Sequence, residues 1–466
     1  MAHIIDSRLY GDGFSTAEVR ALFNESQRLQ RWIKIECMLA KVQGNLGIIP
    51  RLASDEICKH SEGIELDMEQ LVGGVRATHH SLTPLLKALQ NNCSGNYGEY
   101  IHYGATTQDI QDTGTALEMK EVLCIVQRDV RAVIKLLIDK AIKHKETLMV
   151  ARTHGQQAMA TTFGFKISVW IHELLRHLTR LEQARPRILV VSLSGAVGTM
   201  SVLEKPIETM RGLAMELGLE PAPISWHTAR DIIAEYACLL SMITATVGKI
   251  GNEIFTLTSN ECGELREGQG AKQVGSSTMP HKRNPEGAEQ IALLARLAKY
   301  SCSQALETMV VEHERDGRAW RMDWTIIPEI SCYAAACLEH CKQLIVKLEV
   351  DEHRMRSNLN LMRDLLSSER LMIFLGSYLG KQTAHAIVHD AAIEAHKSDK
   401  NLIDVLLTYP QVTDACSSES LEDMRDPRSQ LGAAIELTEA AIEEAEQQLN
   451  REQSAEAGTD RLVLAD

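Results

Sequence analysis

The sequence predicts an all-α protein built around long helices, and three observations carry that prediction. Apolar residues recur at steps of three, four and one over stretches far longer than the mean globular helix of about 11–12 residues. Aromatic residues make up only 4% of the chain and proline only 11 of its 466 residues. That composition disfavours a β-sandwich and leaves long helices uninterrupted. Apolar residues reach 44%, enough for large cores, and a prior of roughly 150 residues per domain suggests about three domains.

The elements follow from the periodicity. From Met119 the run Val122, Leu123, Val126, Val130, Val133, Ile134, Leu137, Ile138 keeps to one helical face, with Asp112 or Thr113 as a candidate cap. A second helix is expected from Phe163 through Val169, Trp170, Leu174, Leu178 and Leu181, stopped by Pro186. A third runs from Ile232 through Tyr236, Leu239, Leu240, Ile243, Val247, Ile250 and Ile254 to Leu257. A fourth starts after Pro285 and carries Ile291, Leu294 and Leu297. Helices of this length in series suggest an elongated bundle, and they bury their second faces against each other or against another subunit. Two breaks interrupt them, one within Gly95–Thr115 and one at Glu264–Gly275, which is too rich in glycine for a stable helix and reads as a mobile loop. The last hundred residues return to helical patterning, with a frayed tail expected after Glu452.

Charge and cysteine usage narrow the function. Forty-nine Lys and Arg against 63 Asp and Glu give a net charge of -14, the wrong balance for a nucleic-acid binder. Eleven cysteines without a CxxC spacing read as reduced thiols packed as small hydrophobes. The opening MAHIIDSRLYGDG lacks a secretory pattern, and no uninterrupted apolar run approaches the roughly 20 residues of a membrane span. The expectation is a cytoplasmic protein with neither membrane nor nucleic-acid partner.

The strongest chemical signal is Gly275-Ser276-Ser277-Thr278-Met279-Pro280-His281-Lys282-Arg283-Asn284-Pro285. It joins a glycine-rich loop to a helix start, and offers two hydroxyls, a lysine and an amide beside free backbone N–H groups. Such a set suits a carboxylate or phosphate. Because the net charge repels anions at long range, a local basic focus around Lys282, Arg283 and Arg315 is required. Cys337, His340 and Cys341 have the spacing of metal ligands but lack a fourth, so they read as core and no metal is expected. No glycine-rich loop follows a strand, so a nucleotide-binding Rossmann or P-loop reading fails. Arg230 and Asp231 read as a structural ion pair.

The string GSSTMPHKRNP resembles the signature of the fumarase/aspartase superfamily, GSSxMPxKxN, at every specified position. The resemblance covers essentially the whole chain. It implies an all-α, three-part fold, here 1–112, 113–360 and 361–466. It also implies a homotetramer on a twenty-helix core, with active sites each assembled from three subunits and no cofactor. Two branches compete. Tyr103–Ile110 (YGATTQDI), Trp226–Asp231 (WHTARD) and His313-Glu314-Arg315 followed by Trp320 and Trp324 resemble 3-carboxy-cis,cis-muconate cycloisomerases. The opening LYGDGFSTAEVRALF and the later VLLTYPQV look like the same branch. Arg152-Thr153-His154-Gly155, Ser194–Thr199 and the pair His79-His80 are similar to adenylosuccinate lyases. Those cycloisomerases usually carry Trp at position 154. The adenylosuccinate lyases usually carry Ser and Arg where this chain has Arg321 and Trp324.

The reaction that the superfamily implies removes a proton next to a carboxylate and expels a group from the neighbouring carbon, usually releasing fumarate from an anionic small molecule. By this resemblance Ser276 is the general base and His154 the general acid. Lys282 and Asn284 hold the carboxylate whose charge builds up. Thr106, Thr107, Gln108, Thr153, His79, His102, Ser277, Met279 and Arg315 fall at substrate-binding positions. A serine becomes a base only when N–H donors and cation charge stabilise its alkoxide as the loop closes and excludes water. An imidazole suits protonation of an amine leaving group, so His154 favours C–N or C–O cleavage over lactone opening. The alternatives are the cycloisomerase and a catalytically silent, crystallin-like structural protein.

Overall fold

The computed structural model describes residues 3–61, 63–268, 278–279 and 281–463, with side chains to Glu452. The chain is predominantly helical. The elements that matter here are α1 (Glu25–Asn45), α2 (Met68–Thr78), α3 (Thr107–Lys143), β1 (Leu148–Thr153), β2 (Gln156–Thr162) and α4 (Phe163–Ile188). They continue with α5 (Asp231–Leu257), β3 (Leu265–Glu267), α6 (Glu286–Glu307), α7 (Gly317–Lys347), β4 (Leu348–Val350) and α8 (Ala434–Val463).

The long-helix expectation holds. On α3 the six positions from Val122 to Ile134 are fully buried, and Leu137 and Ile138 nearly so. On α5, Tyr236, Leu240, Ile243, Val247, Ile250 and Ile254 are fully buried. By length and composition α5 alone among the described residues could cross a membrane, but 67% of its most apolar window is buried inside the protein.

Several boundaries differ from expectation, each for a local reason. Helix α3 starts at Thr107, so Asp112 and Thr113 lie inside it and are buried rather than capping it. Pro186 sits within the last turn of α4; proline there removes only one hydrogen bond near an end that lacks several. Val169 is 50% exposed on the outer face of α4. Helix α8 continues to Val463, past the expected fraying point. The hairpin β1–β2 was not expected at all.

Contacts divide the chain into two compact units. One comprises Met1–Asp129, His177–Gly248 and Leu293–Glu339; the other comprises Val130–Arg176, Lys249–Ala292 and His340–Asp466. In the second unit the hairpin packs on a small core of Leu148, Val150, Ala160, Leu359 and Leu366. A larger core there gathers Leu371, Leu375, Val388, Leu402 and Leu406.

Candidate active site

In the first unit the site residues gather at the N-terminus of α3, and Asp109 organises them. Its side chain reaches back to the backbone N–H of Thr106 at 3.0 Å, one half of a capping box. The same buried carboxylate accepts from the N–H groups of Ser194 (2.8 Å) and Gly195 (3.0 Å), and lies 2.8 Å from Nε2 of buried His227. Asp109 therefore locks two loops together, which is what a fully buried charge needs to be tolerated. The Thr106 hydroxyl accepts from Arg315 at 3.0 Å, and Arg315 also donates to the Gly195 carbonyl at 3.3 Å. A cation is thus held beside the two threonines.

Thr107 is oriented by a residue that sequence reasoning quoted without a role. Nδ1 of His80 accepts from the Thr83 N–H at 3.1 Å, so a neutral imidazole carries its proton on Nε2. Nε2 lies 3.2 Å from the Thr107 hydroxyl, which accepts that proton and keeps its own for a ligand. Gln108 differs from the expected free donor. It is 1% exposed on the inner face of α3, and its amide donates to Asp112 (3.1 Å) and to the His227 carbonyl (3.2 Å).

His102 pairs through Nδ1 with fully buried Glu36 at 2.7 Å. Burial opposes the imidazolium, but the Glu36 hydrogen bond and charge, with Asp109 behind, raise the His102 pKa above its usual value. A raised folded-state value stabilises the fold fully below the unfolded pKa of about 6.5. That contribution is lost as pH rises through the folded value. His102→Asn, which tolerates the same backbone, should therefore remove part of the loss of thermal stability between pH 6 and 9. Melting curves of the two proteins across that range that run parallel would contradict this.

Arg230 is paired, though not with Asp231. It is fully buried, donates to Asp112 at 2.8 and 3.2 Å and to Asp323 at 3.1 Å, and lies under the Trp226 ring. Burial opposes its charge, yet the two carboxylates hold it above the ordinary arginine value. Burial in turn pushes Asp323 up to about 6, against the lowering by Arg230. The Trp320 indole donates to Asp112 at 3.0 Å and stacks edge-on with Trp324. Arg318, by contrast, is spent on Glu312 and Asp316.

In the second unit His154 and Gly155 form the two-residue turn of the β1–β2 hairpin, with Thr153 opposite Gln156. Both turn residues have positive φ, 52° and 78°, the backbone of a type I′ turn. The ladder slips by one residue between Ala151 and Arg152, a bulge that re-aims the strand end. Thr153 and His154 are exposed at the tip. Arg152 turns back and donates to fully buried Glu264 at 3.0 and 2.6 Å, and Asn358 donates to the same carboxylate at 2.8 Å. This clasp ties the hairpin to the stem of the glycine-rich segment. Neither Arg152 nor Glu264 was assigned this role from sequence.

Beyond that stem Ser276, Ser277 and Pro280 lie outside the described residues, as does most of the segment expected to be a mobile loop. Its first residues form β3, which pairs antiparallel with β4. Met279, Lys282 and Asn284 line a cleft of about 800 Å³ together with Phe255, Arg266 and Arg283. At its edge Glu267 accepts from the N–H groups of Gly287 (3.1 Å) and Ala288 (2.8 Å), capping α6. Burial, aided by Glu286 and Glu289, raises its pKa against those two N–H bonds.

Backbone strain marks the candidate histidines. Among the described residues eight non-glycine positions have positive φ, and four are histidines: His79, His102, His154 and His313. His79 ends α2 as its left-handed cap. Glycine or asparagine would satisfy these positions at lower cost, and strain of this kind collects at functional sites.

The first unit thus holds threonines beside an arginine, and the second an exposed imidazole on a hairpin and a cleft lined by Lys282 and Asn284; comparison with known proteins gives the class. A family model described as lyase matches residues 14–298, and one described as adenylosuccinate lyase C-terminus matches residues 364–441. The chain belongs to the fumarase/aspartase superfamily and is a lyase of that family. It is 40% identical to an N-acetyl-S-(2-succino)cysteine lyase of Dickeya dadantii, over 95% of this chain and 97% of that one. It is 38% identical to an adenylosuccinate lyase of Methanocaldococcus jannaschii, over 94% and 95%. Among solved structures it resembles the 3-carboxy-cis,cis-muconate lactonizing enzyme of Pseudomonas putida with a TM-score of 0.86 and 32% identity, over 95% of this chain and 100% of that one.

Proposed function

We propose that this lyase releases fumarate from a compound carrying a 1,2-dicarboxyethyl (2-succinyl) group attached through its C2 to nitrogen or sulfur. One observation carries the reading. A single compact unit holds both an exposed imidazole on a hairpin tip and a cleft lined by Lys282 and Asn284. The first is what a leaving heteroatom requires, the second what a carboxylate next to a carbanion requires. In the proposed reaction Ser276 takes a proton from C3 of the succinyl group and the electron pair forms the C2=C3 bond. The bond from C2 to the heteroatom breaks, and His154 returns a proton to the departing atom. Lys282 and Asn284 stabilise the doubly charged carboxylate. The names of both relatives specify a succinyl compound, and Trp324 offers a nucleotide phosphate no cation. We further propose a homotetramer whose sites draw residues from several copies.

Purified protein given S-(1,2-dicarboxyethyl) thioethers and N-(1,2-dicarboxyethyl) amines should produce fumarate with at least one of them. Ser276→Ala should lower kcat by roughly 10²–10⁴-fold with an unchanged circular dichroism spectrum. An undiminished rate would remove Ser276 from the mechanism. The cycloisomerase reading is favoured by the Trp320–Trp324 pair and the likeness to the lactonizing enzyme; conversion of 3-carboxy-cis,cis-muconate without fumarate release would decide for it.

A further inference from the structure

We propose that Cys238 and Cys302 form an oxidation-sensitive thiol pair that hydrogen peroxide closes to a disulfide, a reversible staple between α5 and α6. The pair takes no part in the elimination proposed above. Both residues belong to the first unit, Cys238 on α5 and Cys302 on α6. Their sulfurs lie 3.4 Å apart, near enough for one thiol to donate to the other. Both are half-buried, whereas Cys332 and Cys341 on α7 are buried. Packing alone would be served as well by alanine; contact between two sulfurs within reach of solvent adds a reaction that packing does not use.

Small residues set the two helices for a cross-link. Cys238 meets Cys302 and Gly248 meets Ala295, so α5 and α6 run antiparallel. A Cβ added to Gly248 would stand 2.5 Å from that of Ala295, so the backbones approach closely there. Sulfurs in a disulfide are about 2.0 Å apart, so small side-chain rotations cover the remaining distance of about 1.4 Å. Burial, with Cys238 beside it, pushes the Cys302 thiol up to about 11, against a lowering by the Ser241 hydroxyl. Cys302 therefore keeps its proton, and Cys238 reacts first. The Cys238 thiolate attacks one oxygen of the peroxide and the O–O bond breaks. That leaves a sulfenic acid on Cys238 and a hydroxide, which takes the proton Cys238 gave up and becomes water. The Cys302 sulfur then attacks that of Cys238, the S–O bond breaks, and the hydroxyl leaves as a second water with the Cys302 proton. The two thiols lose a pair of electrons and the peroxide gains it. The disulfide closes a covalent loop that contains Glu264 and the entire signature segment, and a loop so long strongly constrains the unfolded chain.

The test treats the full-length protein with hydrogen peroxide at a dose that oxidises exposed Cys124. Remaining thiols are then alkylated in denaturant and the peptides mapped by mass spectrometry. The expected result is a peptide pair joined through Cys238 and Cys302, lighter by two hydrogens than its parts and separated again by dithiothreitol. The oxidised protein should melt about 2–4 °C above the reduced one. Cys302→Ser, or Cys302→Ala should serine not fold, should abolish both the link and the shift. In that variant dimedone should label Cys238, catching the sulfenic acid left without its partner. Both thiols still free at that dose, or either one linked to another cysteine instead, would overturn the pair. A disulfide formed with no rise in melting temperature would overturn the staple.

Discussion

Replacing Arg152 with methionine is expected to destabilise the protein by about 3–5 kcal/mol and to lower kcat more than it raises KM. The loss of stability follows because Glu264 has no exposure and would keep Asn358 as its remaining side-chain donor among the described residues. An uncompensated buried carboxylate is among the costliest single defects a fold can carry. The loss of turnover follows because Arg152 lies two residues before His154, and the clasp fixes the hairpin that aims it. Arg152→Lys should fall between the two, since an ammonium cannot form the paired bonds of a guanidinium. The double variant Arg152→Met, Glu264→Leu separates the effects: it should recover most of the stability in urea unfolding but not the activity. Recovery of both would reduce the pair to a purely structural role, and a single variant as stable as the parent would remove the argument.

A second large effect is expected at His154, with the opposite sign for stability. His154→Gly should lower kcat by roughly 10²–10⁴-fold while leaving the melting temperature unchanged or higher. The turn needs positive φ at both residues, and an L side chain there costs about 1–2 kcal/mol that glycine avoids. His154→Asn should behave similarly, asparagine–glycine being the favoured sequence for this turn. A residue chosen for folding would not improve the fold when removed. If His154→Gly turned over succinyl compounds at the parental rate, the general acid would have to be sought elsewhere, and His79, on the same kind of strained backbone, would be the first candidate.

Much of the scaffold was legible from periodicity, because long helices repeat one rule over many turns; the buried stripes of α3 and α5 fall where that rule puts them. The hairpin escaped notice because Leu148–Thr162 contains a slipped register and a His–Gly turn instead of clean alternation around Asn–Gly. The start of α3 was misplaced for a different reason. Asp112 and Thr113 have the chemistry of caps, but here they are buried and serve Arg230 and Ser192. The signature motif named Lys282 and Asn284 directly. It gave no hint of Asp109, His80, Arg152 or Glu264, each of which also has a partner far away in sequence that becomes visible only after folding. His80 could have been suspected from the Thr83 that follows three residues later, a spacing suited to a local hydrogen bond.

The cap that Glu267 places on α6 reaches beyond the helix it ends. With β3 paired to β4 and the Gly268 N–H donating to the Lys347 carbonyl at 3.0 Å, the chain entering the signature segment and the chain leaving it are pinned side by side. The cost of bringing those ends together is met by the scaffold and rises by only about 0.6 kcal/mol for each doubling of the intervening length. Insertions or deletions between Gly268 and Pro285 are therefore expected to change turnover more than stability, which urea unfolding alongside kcat would check. If so, the fold and the signature segment would be free to diverge at separate speeds.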